Sequence, residues 1–471
     1  MRNRPFVCGV IALVALPGCY LLHTRDEPSG SSADAGATRL DVGSAGVLDA
    51  PLASLRDAAV LTSLDVSYPD SGPPLPPEPE PDPGPDGRPS DDPDGWVDPP
   101  EFGAEDPCCT LGEPIRLASR PATSLSSDPP LIAWRPGRWA IAVTEQITSG
   151  PDAVFRLVVY ELEEDGTPIG APRVLDAPPM IDVHRTPVAR ALRWGGGRWA
   201  FAASGDPVSG VSREMHVRLF DRELTPASDW QPLGEGTAVD VAYLARGDRW
   251  LAFTSFDSGL RTAPFDERSG AGTSIETPAQ WAQLLRAATF ASRAAVVPIS
   301  AESEPELVVA DPSGSELGRV SREGHWVAAG GLAALRDLAV VAVRNEGRIE
   351  VEVLDPFALR RLSGPSVVAE PGPADDSAVE RSVDVAGSSK FGVAGVCWGV
   401  PDPSGPRGGN DARLELGLVG PDGLLRGAPV TIVTSSFRSA TGCTVATDQR
   451  GFLVGWYDGS ELWVRRVDVR D

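Results

Sequence analysis

The stretch VARALRWGGGRWAFAASGDPVSGVSREMHVRLF, residues 188–220, shows the pattern that decides the fold. It contains three largely apolar runs, and the first two meet at a tight run of glycines just before Arg198 and Trp199. Polar and apolar residues alternate within the third run, MHVRLF. Alternation with a period of two, bounded by turn residues, predicts β-strands rather than helices. The stretch therefore predicts three successive antiparallel strands.

The turn and the apolar strand around Trp199 recur along the rest of the chain. The seven anchor positions are Trp139, Trp199, Trp250, Ala294, Leu338, Phe391 and Phe452. Their spacings of 60, 51, 44, 44, 53 and 61 residues indicate a repeat architecture. Each unit also carries a strand before the anchor and a fourth strand after an acidic turn. Seven such units predict an all-β, seven-bladed β-propeller of four-stranded antiparallel blades over residues 108–471.

The seventh unit stops after its third strand, so its fourth strand must come from elsewhere in the chain. The segment LGEPIRLA, residues 111–118, resembles the fourth strands TPIGAPRVL at 167–175 and LLRGAPVTIV at 424–433. We therefore expect residues 111–118 to complete the seventh blade and to close the ring.

The N-terminus has the pattern of an export signal. Arg2 and Arg4 precede an uncharged apolar run of 11 residues, Phe6–Leu16. At about 1.5 Å per residue this run is too short to cross a bilayer core of roughly 30 Å, which predicts a signal peptide over 1–18. The following LPGC, Leu16–Cys19, resembles the bacterial lipobox, although Pro17 departs from its usual residues. The resemblance implies that Cys19 is lipidated and becomes the mature N-terminus.

The charge and the proline content of residues 19–107 predict a disordered acidic tether. Of the formal net charge of −24, residues 20–107 carry −15, and 14 prolines fall between Pro69 and Pro107. Proline prevents ladder hydrogen bonds, and repelling carboxylates extend a chain. In its layout of signal, tether and propeller, the chain resembles the lipid-tethered propeller proteins of myxobacteria and their relatives. Because Tyr20 is not Asp, the resemblance to lipoprotein sorting implies the outer membrane, with contact to the membrane through the lipid anchor only.

Four cysteines remain once Cys8 leaves with the signal peptide and Cys19 is lipidated. In an oxidising compartment these cysteines can form disulfides, and four cysteines allow three pairings. The sequence does not choose among pairings of Cys108, Cys109, Cys397 and Cys443.

Composition and motifs exclude several classes of function. The net negative charge argues against nucleic acid as a partner. The four histidines have no zinc-site spacing, and no nucleophile elbow or phosphate-binding loop occurs between a strand and a helix. We therefore predict no cofactor, no metal and no catalytic residue.

Longer connections on one side of the propeller predict a ligand-binding rim, because function concentrates on loops of a rigid scaffold. The candidate rim residues are His184, Arg185, Asp206, Arg213, Asp402, Arg407, Asn410 and Asp411. We expect a monomeric, non-enzymatic binding or scaffold module for an envelope protein or glycan. The alternative is an envelope hydrolase or lyase acting on glycans or peptides, with carboxylates such as Asp206 and Asp402 meeting at the channel mouth.

Overall fold

Antiparallel β-strands account for nearly all regular structure in the described part of the chain. The computed structural model describes residues 102–117, 129–147, 155–179, 186–206, 213–256, 259–267, 270–278, 282, 284–299, 306–321, 329–372, 382–402, 411–433, 440–458 and 461–470. All of these residues lie in one compact unit, Asp82–Asp471. Within these ranges no helix is long and apolar enough to span a membrane. The predicted signal peptide, and the predicted tether up to residue 101, lie outside the described residues.

Seven sheets form the blades, which confirms the predicted seven-bladed all-β propeller. In the described part of the chain, the first strands are two short ones, β1 (Cys109–Leu111) and β2 (Ile115–Leu117). Blade 1 consists of β3 (Leu131–Arg135), β4 (Arg138–Gln146), β5 (Phe155–Leu162) and β6 (Arg173–Leu175). Blade 2 consists of β7 (Thr186–Gly195), β8 (Arg198–Asp206), β9 (Arg213–Phe220) and β10 (Gln231–Gly236). Blade 3 consists of β11 (Ala238–Leu244), β12 (Arg249–Phe256), β13 (Gly259–Asp266), β14 (Gly270–Ala271) and β15 (Ile275–Pro278).

The remaining blades follow the same order of strands. Blade 4 consists of β16 (Leu284–Phe290), β17 (Arg293–Ile299), β18 (Glu306–Ala310) and β19 (Glu316–Ser321). Blade 5 consists of β20 (Ala329–Leu335), β21 (Leu338–Asn345), β22 (Arg348–Asp355) and β23 (Arg360–Ala369). Blade 6 consists of β24 (Val383–Ser388), β25 (Val393–Asp402), β26 (Asp411–Val419) and β27 (Leu425–Val433). Blade 7 contains β28 (Ala440–Thr447), β29 (Gly451–Asp458) and β30 (Glu461–Val469).

The fourth position of blade 7 is occupied by β1 and β2, both paired antiparallel with β30. Cys109 pairs with Val469, and Ile115 pairs with Val464. The sequence predicts one continuous closing strand at 111–118, whereas the structure has two short strands. Pro114 lies between them and has no N–H to donate to the ladder, which accounts for the break. The first and last strands of the propeller thus pair within one sheet.

The hydrophobic core lies between neighbouring blades rather than in one central mass. Trp139 of blade 1 is fully buried in a cluster that includes Leu453 and Leu462 of blade 7. Trp199 of blade 2 is buried in the same way against blade 1, and Trp250 of blade 3 packs against blade 2. Loss of one such indole costs about 3–5 kcal/mol, so the repeated anchors hold consecutive blades together.

Each blade presents its turns on two opposite faces. The turns from first to second strand and from third to fourth strand share one face, which we call the hairpin face. The other connections share the opposite face, which we call the loop face. Short hairpins are possible because Gly137, Gly196 and Gly197 adopt φ values of 88°, 54° and 72°. Side chains other than glycine rarely tolerate this left-handed region, and tight hairpin turns require it.

Candidate functional site

A cavity of about 470 Å³ occupies the hairpin-face half of the central channel. Its walls come from the first strands of all seven blades, which run side by side along the channel. The volume lies within the range of about 300–1,000 Å³ that is typical of small-molecule sites. The cavity, rather than the predicted rim, is therefore the best-defined concave site in the described part of the chain.

The cavity exists because one position in the first strands carries large side chains on one side of the ring only. In blades 1 to 3 this position, cross-strand from the anchor, holds Trp134, Trp194 and Tyr243. In blades 5 and 6 the structure places Ala339 and Ala394, rather than the predicted Leu338 and Phe391, in the register of the anchor. In blades 4, 5 and 6 the position cross-strand from Ala294, Ala339 and Ala394 holds small residues, namely Thr289, Ala334 and Gly387. The channel is therefore bounded by an aromatic wall on one side and left open on the other.

Tyr243 is fixed in this wall by its neighbours. Its ring lies against the hairpin of blade 2, where a Cβ at Gly196 would come within 2.7 Å of the ring. Its hydroxyl donates a 2.6 Å hydrogen bond to the carboxylate of Asp248. Burial and this hydrogen bond raise the pKa of Tyr243 to about 12, so the phenol stays neutral at physiological pH. Trp134 and Trp194 pack on Trp139 and Trp199, with ring centroids 4.7 and 4.9 Å apart.

The floor of the cavity is a layer of charged side chains, which we call the charged layer. It contains Arg190 and Arg193 of blade 2, Asp240 of blade 3, Arg286 of blade 4 and Asp384 of blade 6. A second pocket of only about 20 Å³ lies toward the loop face and shares Arg190 and Arg286 with the cavity. The charged layer thus divides the channel into two unequal parts.

Asp240 links blades 2, 3 and 4. Its Oδ2 accepts hydrogen bonds of 2.8 Å from Nη2 of Arg193 and 2.8 Å from the backbone N–H of Ala287. Its Oδ1 accepts a further 2.8 Å hydrogen bond from the N–H of Val241. A buried carboxylate with three donors meets the requirement that buried charges be paired and hydrogen-bonded. Both oxygens of Asp240 therefore accept hydrogen bonds, and Oδ2 joins blade 3 to blades 2 and 4.

Asp384 plays the corresponding part between blades 6 and 7. Its Oδ2 accepts a 3.0 Å hydrogen bond from the N–H of Val445, and its Oδ1 lies 3.9 Å from Nε of Arg286. Arg286 belongs to blade 4, so this ion pair passes over blade 5, where Gly331 leaves room. A Cβ at Gly331 would come within 2.9 Å of Asp384 Oδ1. Burial raises the pKa of the Asp384 carboxyl, because it disfavours the charge more than the nearby arginines and N–H groups favour it.

The predicted rim residues fall mostly outside the described part of the chain. His184, Arg185, Arg407 and Asn410 lie in undescribed connections. Asp206 ends β8, and Asp402 ends β25 directly opposite Asp411, but only their backbones are described. Arg213 begins β9, where it is half-buried. The rim, and the proximity of the Asp206 and Asp402 side chains, therefore stay predictions.

Among the four cysteines, the sulfur atoms of Cys397 and Cys443 lie at disulfide distance, with Cα atoms 6.3 Å apart. The pair links blade 6 to blade 7, which is one of the three pairings left open by the sequence. Cys108 and Cys109 are buried free thiols with their sulfur atoms 2.9 Å apart. In the described ranges no group of three or more His, Cys, Asp or Glu side chains could hold a metal ion.

Comparison with known proteins gives structural neighbours but no family. No protein-family model and no curated protein sequence matches the chain. The propeller of Dos1 is similar over 76% of this chain and 95% of its own length, with 10% identity and a TM-score of 0.45. The WD40 domain of Toxoplasma gondii coronin covers 80% of this chain and 89% of its own, with 12% identity and a TM-score of 0.48. NanB sialidase from Streptococcus pneumoniae, as its K499G mutant, covers 78% and 70%, with 11% identity and a TM-score of 0.41.

Proposed function

We propose that the chain is a cell-envelope lipoprotein whose propeller is a non-enzymatic binding module, with its ligand in the channel cavity. The observation that supports this proposal most strongly is the cavity itself, about 470 Å³ between an aromatic wall and the charged layer. Such a site suits a small molecule or a protruding group of a larger envelope glycan or protein. Lipidation at Cys19 and the acidic tether would hold this module at the outer membrane.

The chemistry of the carboxylates also favours binding over catalysis. An acid–base pair needs oxygen atoms free to reach a substrate. Both oxygens of Asp240 accept hydrogen bonds from Arg193 and from the backbone of blades 3 and 4. Oδ2 of Asp384 accepts a backbone N–H of blade 7. These carboxylates have an evident structural task, which is to fasten one blade to another.

A substitution that narrows the cavity with a bulky side chain tests whether the ligand binds there. Thr289→Trp places an indole at the position that Trp134 and Trp194 occupy in their blades, so the β-strand geometry of the repeat accommodates it. The full chain is incubated with envelope extract and washed, and the small molecules and glycans released on denaturation are identified by mass spectrometry. We expect a compound retained by the wild type and lost by this variant. A matched control, Thr431→Trp, adds the same indole on the exposed side of β27, away from the channel.

Two outcomes would contradict the proposal. Retention of the same compound by the Thr289→Trp variant would move the site away from the cavity. A variant shortened between residues 403 and 410 tests the loop face, and loss of the compound in this variant alone would place the site on the predicted rim.

A hydrolase or lyase is the second candidate, and the raised pKa of Asp384 favours it, because perturbed carboxyl groups in clefts are common in active sites. If Asp384 acted as a general acid, Asp384→Asn would leave retention of the compound intact but abolish its conversion. Product formation that persists in this variant would contradict a catalytic role for Asp384.

A further inference from the structure

In one of the two ion pairs of the charged layer, the cationic side chain is much more exposed than the anionic one. The Arg193 side chain is 36% exposed, whereas its partner Asp240 is 2% exposed. Arg286 and Asp384 are each 11% exposed. The layer contributes three arginines and two aspartates to the cavity, so its formal balance is positive in a chain of net charge −24. A ligand entering from the hairpin face thus finds the guanidinium of Arg193 more accessible than the carboxylate of Asp240.

The guanidinium groups of Arg193 and Arg286 retain hydrogen-bonding capacity. A guanidinium has five N–H donors. Arg193 uses Nη2 for Asp240, and its bond from Nη1 to the carbonyl of Leu192 is long, at 3.4 Å. Within the described residues, the hydrogen bond of Arg286 runs from Nη1 to the carbonyl of Leu285 and is 3.5 Å long. Arginine forks are well suited to planar oxyanions such as carboxylates, which accept two parallel N–H bonds.

The walls above the charged layer are largely apolar and would contact the part of the ligand that is not charged. Trp134, Trp194 and Tyr243 present indole and phenol rings on one side. Alanines line much of the opposite side, including Ala288, Ala334 and Ala386. Flat aromatic rings and small apolar side chains favour a ligand with a flat apolar body. Such a ligand is stabilised in the cavity by stacking on the rings and by the removal of its apolar surface from water.

We propose that the cavity binds an aromatic carboxylate, with its ring against Trp134 and Trp194 and its carboxylate against Arg193 and Arg286. This inference rests on the proposed function, because it assumes that the cavity is the binding site. It adds the chemical class of the ligand. A cationic ligand would face the exposed guanidinium of Arg193, and a neutral polar ligand would leave the aromatic wall unused.

The test compares two molecules of the same shape that differ in charge, 2-naphthoate and 2-naphthamide. Each is titrated into the full chain by isothermal titration calorimetry at 50 mM NaCl. Because hydrogen bonds between a guanidinium and a carboxylate are stronger than those to a neutral amide, we expect the naphthoate to bind about tenfold more tightly than the amide. Raising the salt concentration to 500 mM should weaken binding of the naphthoate and leave the amide unaffected.

Two arginine variants test which side chains bind the carboxylate of the naphthoate. Arg193→Gln and Arg286→Gln should each weaken naphthoate binding about tenfold without changing naphthamide binding. Arg348→Gln is the matched control, since Arg348 is 57% exposed and pairs with the exposed Glu370 outside the channel. It should leave both affinities unchanged. The salt comparison needs only the wild-type chain, so the inference stays testable if a variant fails to fold.

Equal binding of the acid and the amide would overturn the charge assignment, and so would the absence of naphthoate binding at millimolar concentration. Neither result would affect the proposed function, which depends on loss of a captured compound in the Thr289→Trp variant. Conversely, naphthoate that still binds to the Thr289→Trp variant would show that the anion site lies outside the cavity.

Discussion

Asp240→Ala should destabilise the propeller strongly, although the residue belongs to none of the hydrophobic clusters. The Asp240 carboxylate is 2% exposed and accepts three hydrogen bonds of 2.8 Å. Removing one partner of a buried ion pair costs about 3–5 kcal/mol, and a buried amide left without its acceptor costs about 1–3 kcal/mol. Because Arg193 is 36% exposed and can be rehydrated, we place the total near the lower limit, at about 3 kcal/mol.

Thermal unfolding followed by circular dichroism measures this effect. At about 1–2 °C per kcal/mol for a domain of this size, Asp240→Ala should lower Tm by about 3–6 °C. Asp240→Asn keeps one oxygen acceptor and should lose about half as much. Asp176→Ala is the control, because the Asp176 side chain is 86% exposed and lies 3.9 Å from Arg218. We expect it to shift Tm by less than about 2 °C. A shift that small for Asp240→Ala would refute the interpretation of Asp240 as a link between blades.

Three further predictions concern pH, the disulfide and the N-terminus. The raised pKa of Asp384 means that the folded state holds its proton to higher pH than the unfolded chain, so stability falls as pH rises from about 4 through the folded pKa. Asp384→Asn should therefore show a smaller loss of Tm between pH 4 and pH 7, and an unchanged pH profile would contradict this. Replacing Cys397 and Cys443, 46 residues apart, with alanine should cost about 2–4 kcal/mol in chemical denaturation, and reduction of the wild type should mimic it. Mass spectrometry of the mature protein should find a diacylglyceryl group on Cys19, whereas an unmodified N-terminus downstream of Cys19 would contradict lipidation.

The sequence was sufficient to predict the blades. Strand periodicity and hairpin glycines are local properties of the chain, and the anchors Trp139, Trp199 and Trp250 mark the same register in three units. The resemblance of residues 111–118 to fourth strands likewise points to β30, where the structure places residues 109–111 and 115–117.

The cavity was beyond the reach of the sequence argument, because it depends on which residues face the channel. In the sequence, Trp134 and Tyr243 are recognisable only as members of apolar strands. Their position beside the channel becomes evident only when the first strands of all blades are arranged around one axis. One signal for the charged layer was present in the sequence. The tetrapeptide VDVA occurs at residues 239–242 and again at 383–386, each time in a first strand. An aspartate at a buried strand position needs hydrogen-bond donors, and most of these come from neighbouring blades, which no local pattern reveals.

A crystal structure of the full chain after incubation with envelope extract would test most directly whether the channel cavity is the binding site. We expect added density in the hairpin-face half of the channel, between the aromatic wall of Trp134 and Trp194 and the guanidinium groups of Arg193 and Arg286. An empty cavity together with a compound bound on the loop face, near Asp402 and Asp411, would contradict it.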